Sequence, residues 1–203
     1  AFREEQKLLL LGNDVSSKYT RRSAGEFERI ASYVKKTTDA KKGNYMVFFP
    51  SYRLMEDVLQ VYEEEFSVDW VRCVCQTPDM TEQEREGFLE EFQEREGTLV
   101  GFCVLGGIFS EGVDLTGESL IGAVIVGTGL PQIGSQREIL KEYYDKKNHC
   151  GFDYAYRYPG MNKVLQAAGR VIRTKEDKGV ILLLDDRFWD RDYQEIFPRE
   201  WQD

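Results

Sequence analysis

The sequence has no G-x-x-x-x-G-K-[ST] stretch, so it lacks the loop of amides and lysine that cradles a nucleotide's phosphates. No G-x-G-x-x-G follows its first apolar run, which counts against a Rossmann-like small-molecule enzyme. With one histidine, His149, and no Ser/His/Asp grouping, hydrolase chemistry of the triad type has no support. Cysteine is scarce and irregularly spaced: Cys73, Cys75, Cys103 and Cys150. A metal set drawn from Cys73, Cys75, His149 and Cys150 would lack a paired C-x-x-C, and three of the thiols fall in apolar runs, so buried, reduced thiols and no metal are expected. No stretch approaches ~18 uninterrupted apolar residues, so no membrane-spanning helix is expected, and no charged-then-apolar leader is seen. The chain opens in a polar stretch without methionine, as a segment excised from a longer polypeptide would.

Positive charge is also in deficit. The 203 residues carry 27 Lys and Arg against 36 Asp and Glu, a formal net charge of −9. That balance argues against a free-standing DNA binder, because such affinity comes largely from cations neutralising phosphates. Much of the acidity is local: residues 82–96 hold seven glutamates against Arg85 and Arg95. Phe88, Leu89 and Phe92 share that stretch at helical spacing, which predicts a solvated helix with one apolar stripe, lying away from any nucleic-acid path.

What is present alternates. Strand-like apolar runs cover 7–11, 45–49, 71–75, 99–105, 120–126 and 180–184. Helical patterns fall between them at about 24–36, 54–66, 81–92, 136–147 and 163–173. Continuous apolar strands separated by helices predict one α/β domain over 1–203, a doubly wound parallel sheet covered on both faces, with ligands at the carboxyl ends of the strands. Ser51 is placed to cap the helix after Pro50; Thr81 with Glu84 spells a capping box; Asn162 is expected to cap the 163–173 helix after Pro159-Gly160. Residues 149–160 look irregular and carry Phe152, Tyr154, Tyr156 and Tyr158 at every second position. That period suits packing on a sheet, with stacking on nucleic-acid bases as the alternative.

The segment Gln166-Ala-Ala-Gly169-Arg170-Val-Ile-Arg173 reads Q-x-x-G-R-x-x-R. At 100° per residue Val164, Leu165, Ala168, Val171 and Ile172 share one helical face, and Gln166, Arg170 and Arg173 lie roughly opposite. Two planar guanidiniums and an amide there suit phosphate, or are simply a solvated surface. Tyr45-Met-Val-Phe-Phe-Pro50-Ser51-Tyr52 ends one strand, and Gly107-Ile-Phe-Ser110-Glu111-Gly112-Val-Asp114-Leu115 follows another. The run 180–184 ends in Asp185-Asp186-Arg187-Phe188, like a magnesium-binding Walker B strand; without a P-loop it is a decoy, and Arg187 is expected to pair with a nearby acid.

Together these stretches resemble, in order, motifs VI, IV and V and the final core strand of superfamily 2 helicases, most closely the second motor domain of DinG/XPD-type DNA helicases. The resemblance spans most of the chain. It implies a RecA-like (P-loop NTPase-type) fold that lacks its own P-loop, within a parent that hydrolyses ATP and moves 5′ to 3′ on single-stranded DNA. ATP and Mg2+ would be held mainly by a first RecA-like motor domain of the same polypeptide, where many such helicases also carry an iron–sulfur cluster; the cysteines here do not match that cluster's spacing. Arg173 would be the arginine finger, with Arg170 second. Gln166, Gly169, Asp114 and Gly112 would lie by the nucleotide, Gly169 by allowing close approach of the helix. Ser51, Tyr52, Ser110 and Glu111 would contact DNA. The implied setting is cytoplasmic, bacterial and without a membrane partner, and this chain alone would be inactive. The competing expectation is a non-enzymatic RecA-like module that binds a protein or nucleic acid without ATP.

Overall fold

A computed structural model of the chain describes residues 7–93, 96–110, 120–171 and 178–202. Six strands form one sheet: β1 (Lys7–Gly12), β2 (Asn44–Phe49), β3 (Val71–Cys75), β4 (Thr98–Val104), β5 (Leu120–Val126) and β6 (Gly179–Leu184). Their order is β1-β6-β5-β2-β4-β3, and every neighbouring pair is parallel. The alternation seen in the sequence therefore becomes the parallel α/β sheet it predicts.

Period-two side chains divide the core. Met46 and Phe48 of β2 enter one cluster, with Phe88, Phe92, Val164, Ala168 and Phe188. Val47 and Phe49 enter the other, with Ile30, Val34, Leu54 and Val58. Helices α1 (Ala24–Asp39) and α2 (Tyr52–Glu65) thus cover one face, and α3 (Glu82–Glu91) covers the other with a later helix, α5 (Tyr158–Ala168). Between them comes α4 (Ser135–Asn148), none of whose residues is buried. The central strands β2 and β4 are buried along their whole lengths, as strands covered on both faces must be.

Local signals act as their chemistry dictates. Ser51 Oγ accepts from Leu54 N at 3.2 Å, capping α2. Thr81 and Glu84 close the reciprocal capping box that opens α3.

Several expectations fail. Residues 151–160 are helical, not irregular, and their aromatics do not line a strand: 153–157 form a π-helical turn running directly into α5. Pro159 and Gly160 therefore lie inside the helical run, and Asn162 caps nothing. Proline has no N–H for the carbonyl four residues back, that of Ala155; Arg137 Nη1 of α4 donates to that oxygen instead, at 2.9 Å. Finally, Cys73 and Cys75 are exposed, because β3 is an edge strand; only Cys103 of the three strand thiols is buried.

Candidate functional site

Parallel strands bring their carboxyl ends to one edge of the sheet, so the segments that follow β2, β3, β4, β5 and β6 converge there. Ser51 and Tyr52 follow β2. The Ser51 hydroxyl accepts from the helix, which leaves its own proton for an outside acceptor. Tyr52 is half-buried, and burial pushes its phenol pKa up against the opposing effect of a hydrogen bond from Gln76.

Gln76 follows β3 and is the residue the sequence analysis missed. Its backbone N donates to Phe102 O at 2.8 Å, one step beyond the last paired residue of β3. Its side chain then does what the ended strand cannot: Oε1 accepts from Val104 N at 3.1 Å and Nε2 donates to the Tyr52 hydroxyl at 3.1 Å. The side chain also lies against the loop after β4, where a Cβ at Gly107 would stand 2.9 Å from Gln76 Nε2. One buried amide thereby joins the end of β2 to the loop after β4. The only sequence signal was a polar residue directly after an apolar run.

In the loop after β4, Ser110 is buried and its hydroxyl donates to Gly107 O at 3.0 Å. The hydroxyl therefore shapes the loop and does not stand at an open surface. Glu111, Gly112 and Asp114 lie outside the described residues.

After β6, Asp185 is fully buried. It accepts from Ser17 N and Oγ at 3.2 and 2.6 Å and from Arg187 Nε at 2.8 Å. Burial alone would raise its pKa, but the hydrogen bonds and charge of Arg187, helped by Ser17, hold it below the usual carboxylate range. Arg187 is in turn raised: burial works against its charge and Asp185 outweighs it. This is the structural ion pair the sequence suggested. With its oxygens so engaged Asp185 does not suit magnesium, and no group of His, Cys, Asp or Glu among the described residues could hold a metal.

The segment 166–171 lies elsewhere. Near the start of α5, Gly160 meets the end of β5 backbone to backbone: a Cβ there would stand 2.6 Å from Thr128 O, and one at Gly129, whose φ is +69°, would stand 2.6 Å from Gly160 O. Just past the other end of α5, Val171 reaches the beginning of β6, with Cγ1 2.2 Å from where a Cβ of Gly179 would be. Helix α5 thus runs from the carboxyl edge back down the sheet and separates the two sets of candidates by its length. Gln166 is exposed in its last turn. Arg170 is not on the open face that a continued helix would give it, because α5 stops at Ala168; it is 7% exposed. Its positive charge reaches Cys103, where burial pushes the thiol pKa up and Arg170 opposes the shift. Gly169 is exposed and helical, and among the described residues a Cβ there would meet the carbonyl oxygens of Leu165 and Gln166 at 3.3 and 3.5 Å. Arg173 lies outside the described residues.

The family model described as helicase C-terminal domain matches residues 34–203. The ATP-dependent DNA helicase XPD of Sulfolobus acidocaldarius is 31% identical over 189 residues, covering 88% of this chain and 31% of that protein. A regulator of telomere elongation helicase 1 homolog from Drosophila melanogaster is 30% identical, covering 71% of the chain and 16% of that protein. Two solved XPD helicase chains superpose with TM-scores of 0.75 and 0.74 at 27% and 26% identity; they cover 93% and 94% of this chain, which spans 33% and 38% of theirs. The chain therefore spans between 16% and 38% of the length of these relatives.

Proposed function

This chain belongs to the helicase C-terminal domain family, within the XPD-type branch of superfamily 2, and from that premise we propose that it is the second motor domain of an ATP-dependent 5′-to-3′ DNA helicase. The observation that carries the proposal is the family match over residues 34–203 on a RecA-like sheet whose sequence has no P-loop. A domain of this kind completes a nucleotide site that another domain begins. ATP and Mg2+ belong mainly to a first motor domain of the same polypeptide, the natural home also of any iron–sulfur cluster; ATP supplies the free energy of closing and reopening the cleft.

This chain's residues divide into two groups joined by α5. At its far end Gln166 and Gly169 face the nucleotide, with Arg173 as the finger on the terminal phosphate, and Arg170, turned inward, backs them. Asp114 and Gly112 serve the nucleotide as well. At the carboxyl edge Ser51 and Tyr52 hold the DNA backbone, together with the loop after β4 that carries Ser110 and Glu111. The Tyr52–Gln76–Gly107 contact supports their acting as one unit.

The test is single-stranded-DNA-stimulated ATPase of the full-length parent beside Arg173→Ala. Loss of ~10³–10⁵-fold in turnover, with ATP still bound, is expected of a missing finger. A parent without DNA-dependent turnover would sink the motor reading. Survival of turnover in the variant would take the finger role from Arg173.

A further inference from the structure

Helix α4 has fourteen residues and buries none of them. It packs on the π turn that follows it, forming a hairpin over residues 135–158. The hairpin is internally well tied: Arg137 to Ala155 O at 2.9 Å, Tyr156 to Glu138 at 2.5 Å and Gly151 N to Asp145 at 2.8 Å. Its outside is aromatic. Tyr144 and Tyr154 stack at 4.3 Å with an interplanar angle of 15°; Tyr143 meets Tyr144 edge-on at 5.1 Å and Tyr158 meets Tyr154 edge-on at 5.2 Å. Tyr143 is 56% exposed and Tyr154 41%. Two of these four touching phenol rings, Tyr143 and Tyr154, stand open to water, and Tyr144 and Tyr158 are half-buried behind them.

Charge and position indicate what covers them. In a chain of net charge −9, α4 carries four basic residues against three acidic ones, and Lys147 Nζ lies 5.8 Å from the centre of the Tyr143 ring. The hairpin also leaves and rejoins the domain at the carboxyl edge. It begins after Gly127, where a Cβ would stand 3.5 Å from Pro50, the neighbour of Ser51; it ends at Gly160, against Gly129. Aromatic faces beside the Lys147 ammonium, continuous with the edge that carries Ser51, match the chemistry of a single-stranded nucleic-acid platform.

We propose that this hairpin is a second DNA contact, in which Tyr143 and Tyr154 stack on bases of the same strand whose phosphates are held at the carboxyl edge. The proposal rests on the motor reading given above and adds to it a place that recognises bases. Stacking tolerates any base, so no sequence preference follows from it.

The test measures binding of the full-length parent to a fluorescein-labelled oligothymidylate of ~20 nucleotides, and to an abasic strand of the same length, by anisotropy. Tyr143→Ala and Tyr154→Ala are each expected to weaken oligothymidylate binding by ~5–100-fold and to leave abasic binding unchanged. Tyr143→Phe, which keeps the ring, should bind as the unaltered protein does. The slope of log affinity against log salt should stay the same in all three, because no cation is removed. Unchanged oligothymidylate binding in both alanine variants overturns the proposal. So does equal weakening on both strands, which would mean that the rings support shape, or cover a protein surface, and do not stack. A parent that binds neither strand fails the motor reading itself, a result distinct from either.

Discussion

Gln76 donates from Nε2 to the Tyr52 hydroxyl at 3.1 Å while its Oε1 accepts from the amide of Val104 at the same distance. The glutamine is 3% exposed, so both bonds replace water that cannot reach it. Gln76→Leu keeps much of the volume but strands the Val104 N–H in the interior, at a cost of ~1–3 kcal/mol. Tyr52→Phe removes only the acceptor of the other bond and should cost less, ~0.5–1.5 kcal/mol. The two residues touch, so the double variant should be less destabilised than the sum. Thermal unfolding of the parent checks the cycle. If the contact also links the DNA edge to the loop after β4, Gln76→Leu lowers DNA stimulation of ATPase more than it lowers basal turnover.

Gly160→Ala should be severe for so small a change. The added methyl would stand 2.6 Å from the Thr128 carbonyl oxygen, a backbone atom that no rotamer change can move. Overpacking of this kind costs ~1–3 kcal/mol, and relief requires α5 to lift from the end of β5. Because α5 joins the two groups of site residues, ATPase stimulation should fall together with melting temperature. A variant with unaltered stability would show that the helix start can move freely.

Arg137 and Pro159 form another testable pair. Arg137→Met removes the donor that satisfies Ala155 O, the carbonyl Pro159 cannot serve, and should destabilise the hairpin by ~1.5–3 kcal/mol as a lost bond to a charged group. Adding Pro159→Ala supplies an N–H in register with that carbonyl and should recover part of the loss. Amide hydrogen exchange across residues 150–160 reads both effects. No recovery would mean that the π turn has a cause other than the proline.

How far the sequence could be read follows from these same residues. Strands 71–75 and 120–126 and the Thr81 capping box were legible because each depends on side chains adjacent in the chain. Lateral strand order is not local, so nothing in Val71-Arg-Cys-Val-Cys75 marks β3 as an edge, and its thiols were wrongly expected inside. Pro159-Gly160 read as a helix boundary by the usual punctuation, because the compensating guanidinium comes from Arg137, 22 positions earlier. The 100° projection put Arg170 opposite the core, yet α5 ends two residues before it, and the turn that follows carries it inward.

Asp185 gives the domain a defined acid limit. Its pKa is depressed in the folded chain by Arg187 and Ser17 in spite of burial, and an unfolded aspartate titrates near ~3.9. The folded state therefore holds its proton less tightly than the unfolded state. The resulting stability is fully present above pH ~4 and is lost as pH falls through the lowered folded value. Asp185→Asn removes the charge and leaves Arg187, whose side chain is 18% exposed, without its counterion. Breaking a buried pair this way costs ~3–5 kcal/mol at neutral pH. The same variant no longer has a carboxylate to protonate at this position, so its melting temperature should fall less steeply than that of the unaltered protein between about pH 5 and pH 2. Thermal unfolding of both proteins across that range measures the two effects together. Parallel curves, offset by a constant amount, would place the acid sensitivity on other carboxylates and leave Asp185 as a packing residue.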